Sequence, residues 1–175
     1  MAHKPAHLYL IAIGSNQRLT HIGSPKQIVE QAIAALETAE IDVFMHSRVH
    51  ESRPLGPSQR EYANAAVLAE SSLAPDALFK ELTTIENHFG RQRTGQRWRA
   101  RTLDLDIILW TGGLWISERP NLQIPHREYA KRAFVLGPSV EIAPDWRDPL
   151  TGLTIRQLFH HLNRPKPLDR SQSPH

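Results

Sequence analysis

Cysteine is absent from this chain of 175 residues. A disulfide framework and thiolate metal sites are thereby excluded, which fits a cytoplasmic setting. No apolar run is long enough to span a bilayer, and the first residues, MAHKPAH, lack the apolar segment of a secretory leader. Neither a membrane partner nor export is expected. Charge of one sign is also scarce: lysine and arginine total 21 against 18 aspartates and glutamates, a formal net charge of +3. That balance suits a small anionic substrate better than a nucleic acid, whose dedicated binders are usually far more basic. No internal repeat is visible. What is present is ordinary globular composition, with 40% hydrophobic and 22% charged residues, enough for one domain with a real core. Residues 1–162 are expected to form that domain, and the proline-containing tail 163–175 is expected to be mobile.

Periodicity sets the expected elements. The apolar run 8–13, closed by Gly14-Ser15-Asn16, predicts a buried strand and a turn. Pro25 opens a helix carrying Ile28, Ala32, Ile33 and Leu36 at helical spacing. Residues 41–49 predict a second strand, followed by ESRPLGPSQRE, a loop rich in turn formers. Residues 62–68 return to a strand, with Asn64 as its odd polar member. Such an asparagine is an edge or bulge residue, or a reader of a ligand's edge, because its amide both donates and accepts. Pro75 opens the strongest helix, with Leu78, Leu82, Ile85 and Phe89 in one stripe. Glu86 lies one position along from that stripe, near a helix end where a carboxylate is disfavoured. Beyond the next strand, Gly112-Gly113 and 148–152 read as turns. Ala133–Ile142 reads as a helix that Gly137-Pro138 interrupts, and Ile155–Leu162 as a terminal helix. The order βαββαβ predicts one sheet with helices packed on it.

The chemistry concentrates in GRQRTGQRWRARTLDLDIILW, residues 90–110, which begins with five arginines in eleven positions (Arg91, Arg93, Arg97, Arg99, Arg101). The following strand, read with period two, places Leu103, Leu105, Ile107 and Leu109 on one face and Asp104, Asp106 and Ile108 on the other. The aspartates then stand about 7 Å apart at the usual strand rise. At an effective dielectric of ~20 they repel by roughly 2 kcal/mol. Divalent metal or nearby arginines are the ordinary compensation. Paired carboxylates on a strand hold Mg²⁺ on a polyphosphate, and an arginine loop forks onto phosphate oxygens. Each half alone is weak, since arginine runs are usually solvated and Asp-x-Asp is common. Their adjacency favours a metal–phosphate site. Residues 90–100 bury too little apolar surface to order themselves, which predicts a lid that is mobile in the free protein and orders only once its ligands are bound. Two other readings remain at this point. One is an RNA-binding module, which needs adjacent aromatics on an open sheet face. The other is a nucleotidyl or sugar transferase using Asp-x-Asp. On residue type alone Tyr62, Phe134 and His126 read as structural.

Taken together, IAIGSN, RPLGP leading to EYANAAV, IENHFGRQR, RWRARTLDLDIILW, and IPHREYAKRAFVL continuing to EIAP resemble the 6-hydroxymethyl-7,8-dihydropterin pyrophosphokinases of the folate pathway. The resemblance spans about Tyr9 to Pro144. It implies an α+β, ferredoxin-like βαββαβ core with a mostly antiparallel sheet flanked by helices, and transfer of the diphosphate of ATP to the pterin alcohol with release of AMP. By that resemblance Asp104 and Asp106 hold two Mg²⁺ ions, and Arg91 and Arg101 belong to the catalytic assembly. Glu86, Arg93, Arg97, Ile107, His126 and Arg132 match ATP positions. Ser52, Leu55, Tyr62, Asn64, Trp98 and Phe134 match pterin positions, with Tyr62 and Phe134 sandwiching the ring. ATP and the pterin are the implied partners, and a monomer is expected. The chain departs from the usual pattern at His50, where tyrosine is common, at Ser52, Arg53 and Arg60 in the first pterin loop, and at Thr83 and Arg127. The segment between Trp110 and His126 is slightly lengthened, which leaves open whether Arg119 contacts ATP.

Overall fold

The computed structural model describes residues 6–38, 40–52, 61–90 and 102–165. Its elements run β1 (His7–Ser15), α1 (Pro25–Leu36), β2 (Asp42–His46), β3 (His50–Ser52), β4 (Tyr62–Ser71), α2 (Pro75–His88), β5 (Asp104–Trp110), β6 (Trp115–Ser117), β7 (Leu122–Ile124), a short 3₁₀ turn (Tyr129–Lys131), α3 (Ala133–Ile142) and α4 (Ile155–Leu162). The main sheet has the order β2-β4-β1-β5, with β3 also paired to β4, and every pairing is antiparallel. Each crossover skips one strand: β1 reaches β2 past β4, and β4 reaches β5 past β1. This is the ferredoxin-like α+β arrangement that the family resemblance implies, and the one helix-covered sheet expected from the order of elements. The expected second strand, 41–49, is shorter, β2 ending at His46 where the chain leaves the sheet; it rejoins the sheet at His50 as β3, which takes in Glu51 and Ser52 of the expected loop.

Local chemistry explains the helix starts. Ser24 and Gln27 form a reciprocal cap on α1, Ser24 N–H donating to Gln27 Oε1 at 2.9 Å and Gln27 N–H to Ser24 Oγ at 3.4 Å. Thr154 and Gln157 repeat the device on α4. Pro75 supplies the N-terminal turn of α2 with its fixed φ.

The sheet is covered on both faces. Tyr9, Ile11, Ile13, Ala65, Val67, Leu105 and Ile107 pack with α1 and α2. Leu10, Ala12, Ala66, Leu68, Ile108 and Leu109 pack with α3 and α4. A strand buried on both faces needs an unbroken apolar run, and β1 has one. Two expectations are corrected here. Strict alternation along β5 fails, because the register slips between Ile11 and Leu10, leaving Ile108 as an extra residue. The bulge moves Leu109 to the α3 face and Trp110 to the α2 face. Nor does Gly137-Pro138 interrupt α3, which runs through Pro138. Its apolar surroundings hold the helix: Val135, Leu136, Pro138 and Ser139 are all buried, and Ser139 Oγ donates to the Val135 carbonyl at 2.7 Å. Packing overrides the one lost backbone bond.

Candidate active site

The antiparallel pairing brings the C-terminal end of β1 between the N-terminal ends of β4 and β5. There Gly14 sits opposite Asn64 on one side and Asp104 on the other, and Asn64 sits opposite His50 of β3. These four residues make a single row across the α3 face of the sheet. Asp106 occupies the next row inward, beside Ala12. The body of α3 covers the Ala12 and Leu10 rows and reaches His50 at the end of the Gly14 row, leaving Gly14, Asn64 and Asp104 on an open cleft. A cleft of about 460 Å³ results, lined by Gly14, Ser15, Asn16, Ser52, Tyr62, Asn64, Asp104 and Phe134.

The expected pterin positions among the described residues, Ser52, Tyr62, Asn64 and Phe134, all meet in this cleft, and so does Asp104. Tyr62 is 39% and Phe134 54% exposed, so both rings stand open to a ligand rather than serving as core. Asn64 is not the edge residue that an isolated polar position suggests, since β4 lies inside the sheet. Its Oδ1 lies 3.2 Å from where a Cβ on residue 14 would be. A larger residue at position 14 would crowd that oxygen, so glycine leaves the amide its place in the cleft. The Arg132 guanidinium lies 5.9 Å from the centre of the Phe134 ring, a cation–π contact at the mouth.

Asp104 and Asp106 share the α3 face of β5, half exposed, at the boundary where helix cover ends. The His126 ring nitrogen Nε2 stands 4.0 Å from Asp106 Oδ2. His126 is placed by its own backbone, whose N–H donates to the carbonyl of bulge residue Ile108 at 3.1 Å. Glu86 is 2% exposed, and its Oε1 accepts the Leu105 N–H at 2.8 Å. Since β5 is an edge strand, these two bonds pair backbone groups that the sheet leaves open. Glu86 thus holds the residue between the two aspartates. Ile107 is 2% exposed in the α1–α2 core, so its side chain is not presented to the cleft. Arg91, Arg93, Arg97, Trp98 and Arg101, the expected lid 90–100 apart from Gly90, and Leu55 with its loop lie outside the described residues.

Two hard carboxylates on one strand suit Mg²⁺, which takes one or two protein carboxylates and completes its octahedron with phosphate oxygens and water. Among the described residues no group of three or more His, Cys, Asp or Glu could hold a metal. Gly14, Ser15 and Asn16 line the cleft but were not singled out beforehand. Their signal was the turn that closes the first strand. Ser15 Oγ also donates to the Thr102 carbonyl at 2.5 Å, tying the start of β5 to the end of β1.

A family model described as 7,8-dihydro-6-hydroxymethylpterin-pyrophosphokinase (HPPK) matches residues 10–144. The chain belongs to this family. The 2-amino-4-hydroxy-6-hydroxymethyldihydropteridine pyrophosphokinase of Synechocystis sp. is 40% identical over 158 residues, covering 90% of this chain and 77% of its own length. The enzyme of that name from Haemophilus influenzae is 39% identical over 137 residues, covering 77% of this chain and 81% of its own. Among solved structures, Plasmodium falciparum HPPK-DHPS wild type with SDX-DHP superposes with a TM-score of 0.67 at 12% identity, over 92% of this chain and 45% of that one. This pyrophosphokinase chain thus spans under half the length of that structure, and the likeness is one of fold. No helix among the described residues is long and apolar enough to cross a membrane.

Proposed function

We propose that this chain transfers the β,γ-diphosphate of ATP to the hydroxyl of 6-hydroxymethyl-7,8-dihydropterin, releasing AMP and supplying folate synthesis. The observation that carries the reading is the cleft itself. Two exposed aromatic rings, an amide and the Asp104 carboxylate line one opening of a pyrophosphokinase-family fold, with Asp106 in the next row of the same strand face. A flat heterocycle between Tyr62 and Phe134, with its polar edge on Asn64, presents its hydroxymethyl arm towards β5.

The hydroxyl oxygen attacks the β-phosphorus, the bond from that phosphorus to the α,β-bridging oxygen breaks, and AMP keeps the bridging oxygen. The hydroxyl proton leaves to solvent. Such a reaction asks the protein for alignment and charge balance. Asp104 and Asp106 would hold Mg²⁺, which would supply positive charge to offset that of the phosphates. His126, beside Asp106, and Arg132, over Phe134, are the described ATP-side groups. Arg91, Arg93, Arg97 and Arg101 enter by their match to the family motif alone, as do Trp98 and Leu55 on the pterin side. Glu86 acts behind the site by holding Leu105. RNA binding is disfavoured, because the uncovered row carries a carboxylate and an amide where stacked aromatics would be needed.

The test is an ATP-consumption assay with the dihydropterin alcohol. AMP is expected in step with pterin consumed, and stoichiometric ADP would overturn diphosphate transfer.

A further inference from the structure

An ionic cluster that the reaction itself does not call for joins α3 to β3 and the residues before it, one strand along from Asn64. Glu141, on the third turn of α3, has Oε1 2.7 Å from His50 Nε2 and 2.9 Å from an Arg48 guanidinium nitrogen. Its Oε2 accepts the Arg48 backbone N–H at 3.0 Å. His50 is the end of the cleft-floor row, directly opposite Asn64, and its pair-mates further along the hairpin are Ser52 and Tyr62. Its ring also lies on α3, with Nδ1 3.9 Å from where a Cβ on residue 137 would be. The opposite face of β3 is held too: Glu51 meets Lys26 of α1 at 3.1 Å.

Phe134 stands on the first turn of this same α3. One wall of the aromatic slot therefore belongs to α3, and the other wall, Tyr62, with the floor Asn64, belongs to β4. The His50–Glu141 contact joins α3 to β3, and His50 is the cross-strand partner of the floor residue Asn64. Arg48 is 86% exposed and the Glu141 side chain 24%, so the cluster contributes little to overall stability. Its position at the seam is what matters.

We propose that His50 and Glu141 are positioning residues for the pterin side of the site: they set the spacing between Phe134 and the Tyr62–Asn64 wall, and Arg48 steadies the carboxylate. This rests on the reading of the slot as the pterin site. Cross-seam coupling of a contact cluster to a neighbouring binding ring is commonly worth several-fold in affinity.

The experiment first confirms AMP formation by the parent, because a parent without that activity fails the functional reading and not this inference. Glu141→Ala and His50→Ala are then expected to raise the KM for the pterin about five- to tenfold, with KM for ATP and kcat within about twofold. Glu141→Gln, which keeps an acceptor, restores most of the loss. In a Phe134→Ala background Glu141→Ala should have no further effect on pterin KM, since the wall it positions is gone. Equal changes in both KM values, effects that add fully to those of Phe134→Ala, or an unchanged pterin KM would each overturn the proposal. Should Glu141→Ala fail to fold, the half-exposed His50→Ala, alone and with Phe134→Ala, carries the same comparison.

Discussion

Truncation of Glu86 to alanine removes the acceptor of the Leu105 N–H, a bond of 2.8 Å to a carboxylate that is 2% exposed. The N–H is then buried on an edge strand with no acceptor supplied by that side chain, and bonds to charged partners contribute about 1.5–3 kcal/mol. Lost packing of the side-chain stem adds a smaller amount, so a destabilisation of about 3 kcal/mol is expected. For a domain of this size each kcal/mol moves Tm by roughly 2–4 °C, giving a fall of about 6–12 °C. Glu86→Gln keeps an oxygen acceptor without charge and should cost about 1 kcal/mol. Thermal unfolding followed by circular dichroism gives both numbers, and amide exchange reads the bond directly: Leu105 should exchange faster in Glu86→Ala than in the parent. Turnover per folded molecule should fall as well, because Leu105 lies between Asp104 and Asp106. A Glu86→Ala protein with Tm within about 1 °C of the parent and an equally protected Leu105 amide would refute the reasoning.

Asp104→Asn and Asp106→Asn should each abolish turnover while the chain stays folded, with metal-free stability equal to or slightly above the parent's because roughly 2 kcal/mol of mutual repulsion is relieved at most; variants that melt early yet keep activity per folded molecule would make the carboxylates structural. The Arg48 guanidinium, then the Arg48 N–H and the His50 ring, pull the Glu141 carboxyl down from its ordinary 4.5 to about 2. A depressed carboxyl stabilises the fold above its unfolded value and loses that contribution as pH falls from about 4.5 towards about 2. Urea unfolding of parent and Glu141→Gln should therefore differ by about 1 kcal/mol at pH 7 after solvent screening and converge in acid; a gap that holds or widens at low pH would contradict the assignment.

Much of the fold is readable along the chain because it depends on near neighbours. The unbroken apolar run of β1 specifies a strand with both faces covered, and Leu78 and Leu82 become the buried side of α2, with Ile85 partly buried and Phe89 at its cap. Pro25, with Ser24 before it, marks the start of α1. The carboxylates on one face of β5 and the resemblance of RWRARTLDLD were equally visible.

Other features depend on residues far apart in sequence. The slip opposite Leu10 and Ile11 that turns Leu109 to the other face is a property of a pair of strands, not of either one. So is the row His50–Asn64–Gly14–Asp104, drawn from four strands. Whether Pro138 ends a helix is settled by how tightly its neighbours are packed, which no local pattern contains. Glu86 looked like a misfit at a helix end, and its reason is a backbone N–H nineteen residues away. The sequence by itself determined the family, most of the elements and the placing of two carboxylates on β5, because periodicity and residue type act within a few positions. Only the tertiary structure decided which side chains share the cleft and which stand behind it, because cross-strand register and helix cover bring together groups that the chain keeps up to some ninety residues apart, as with His50 and Glu141.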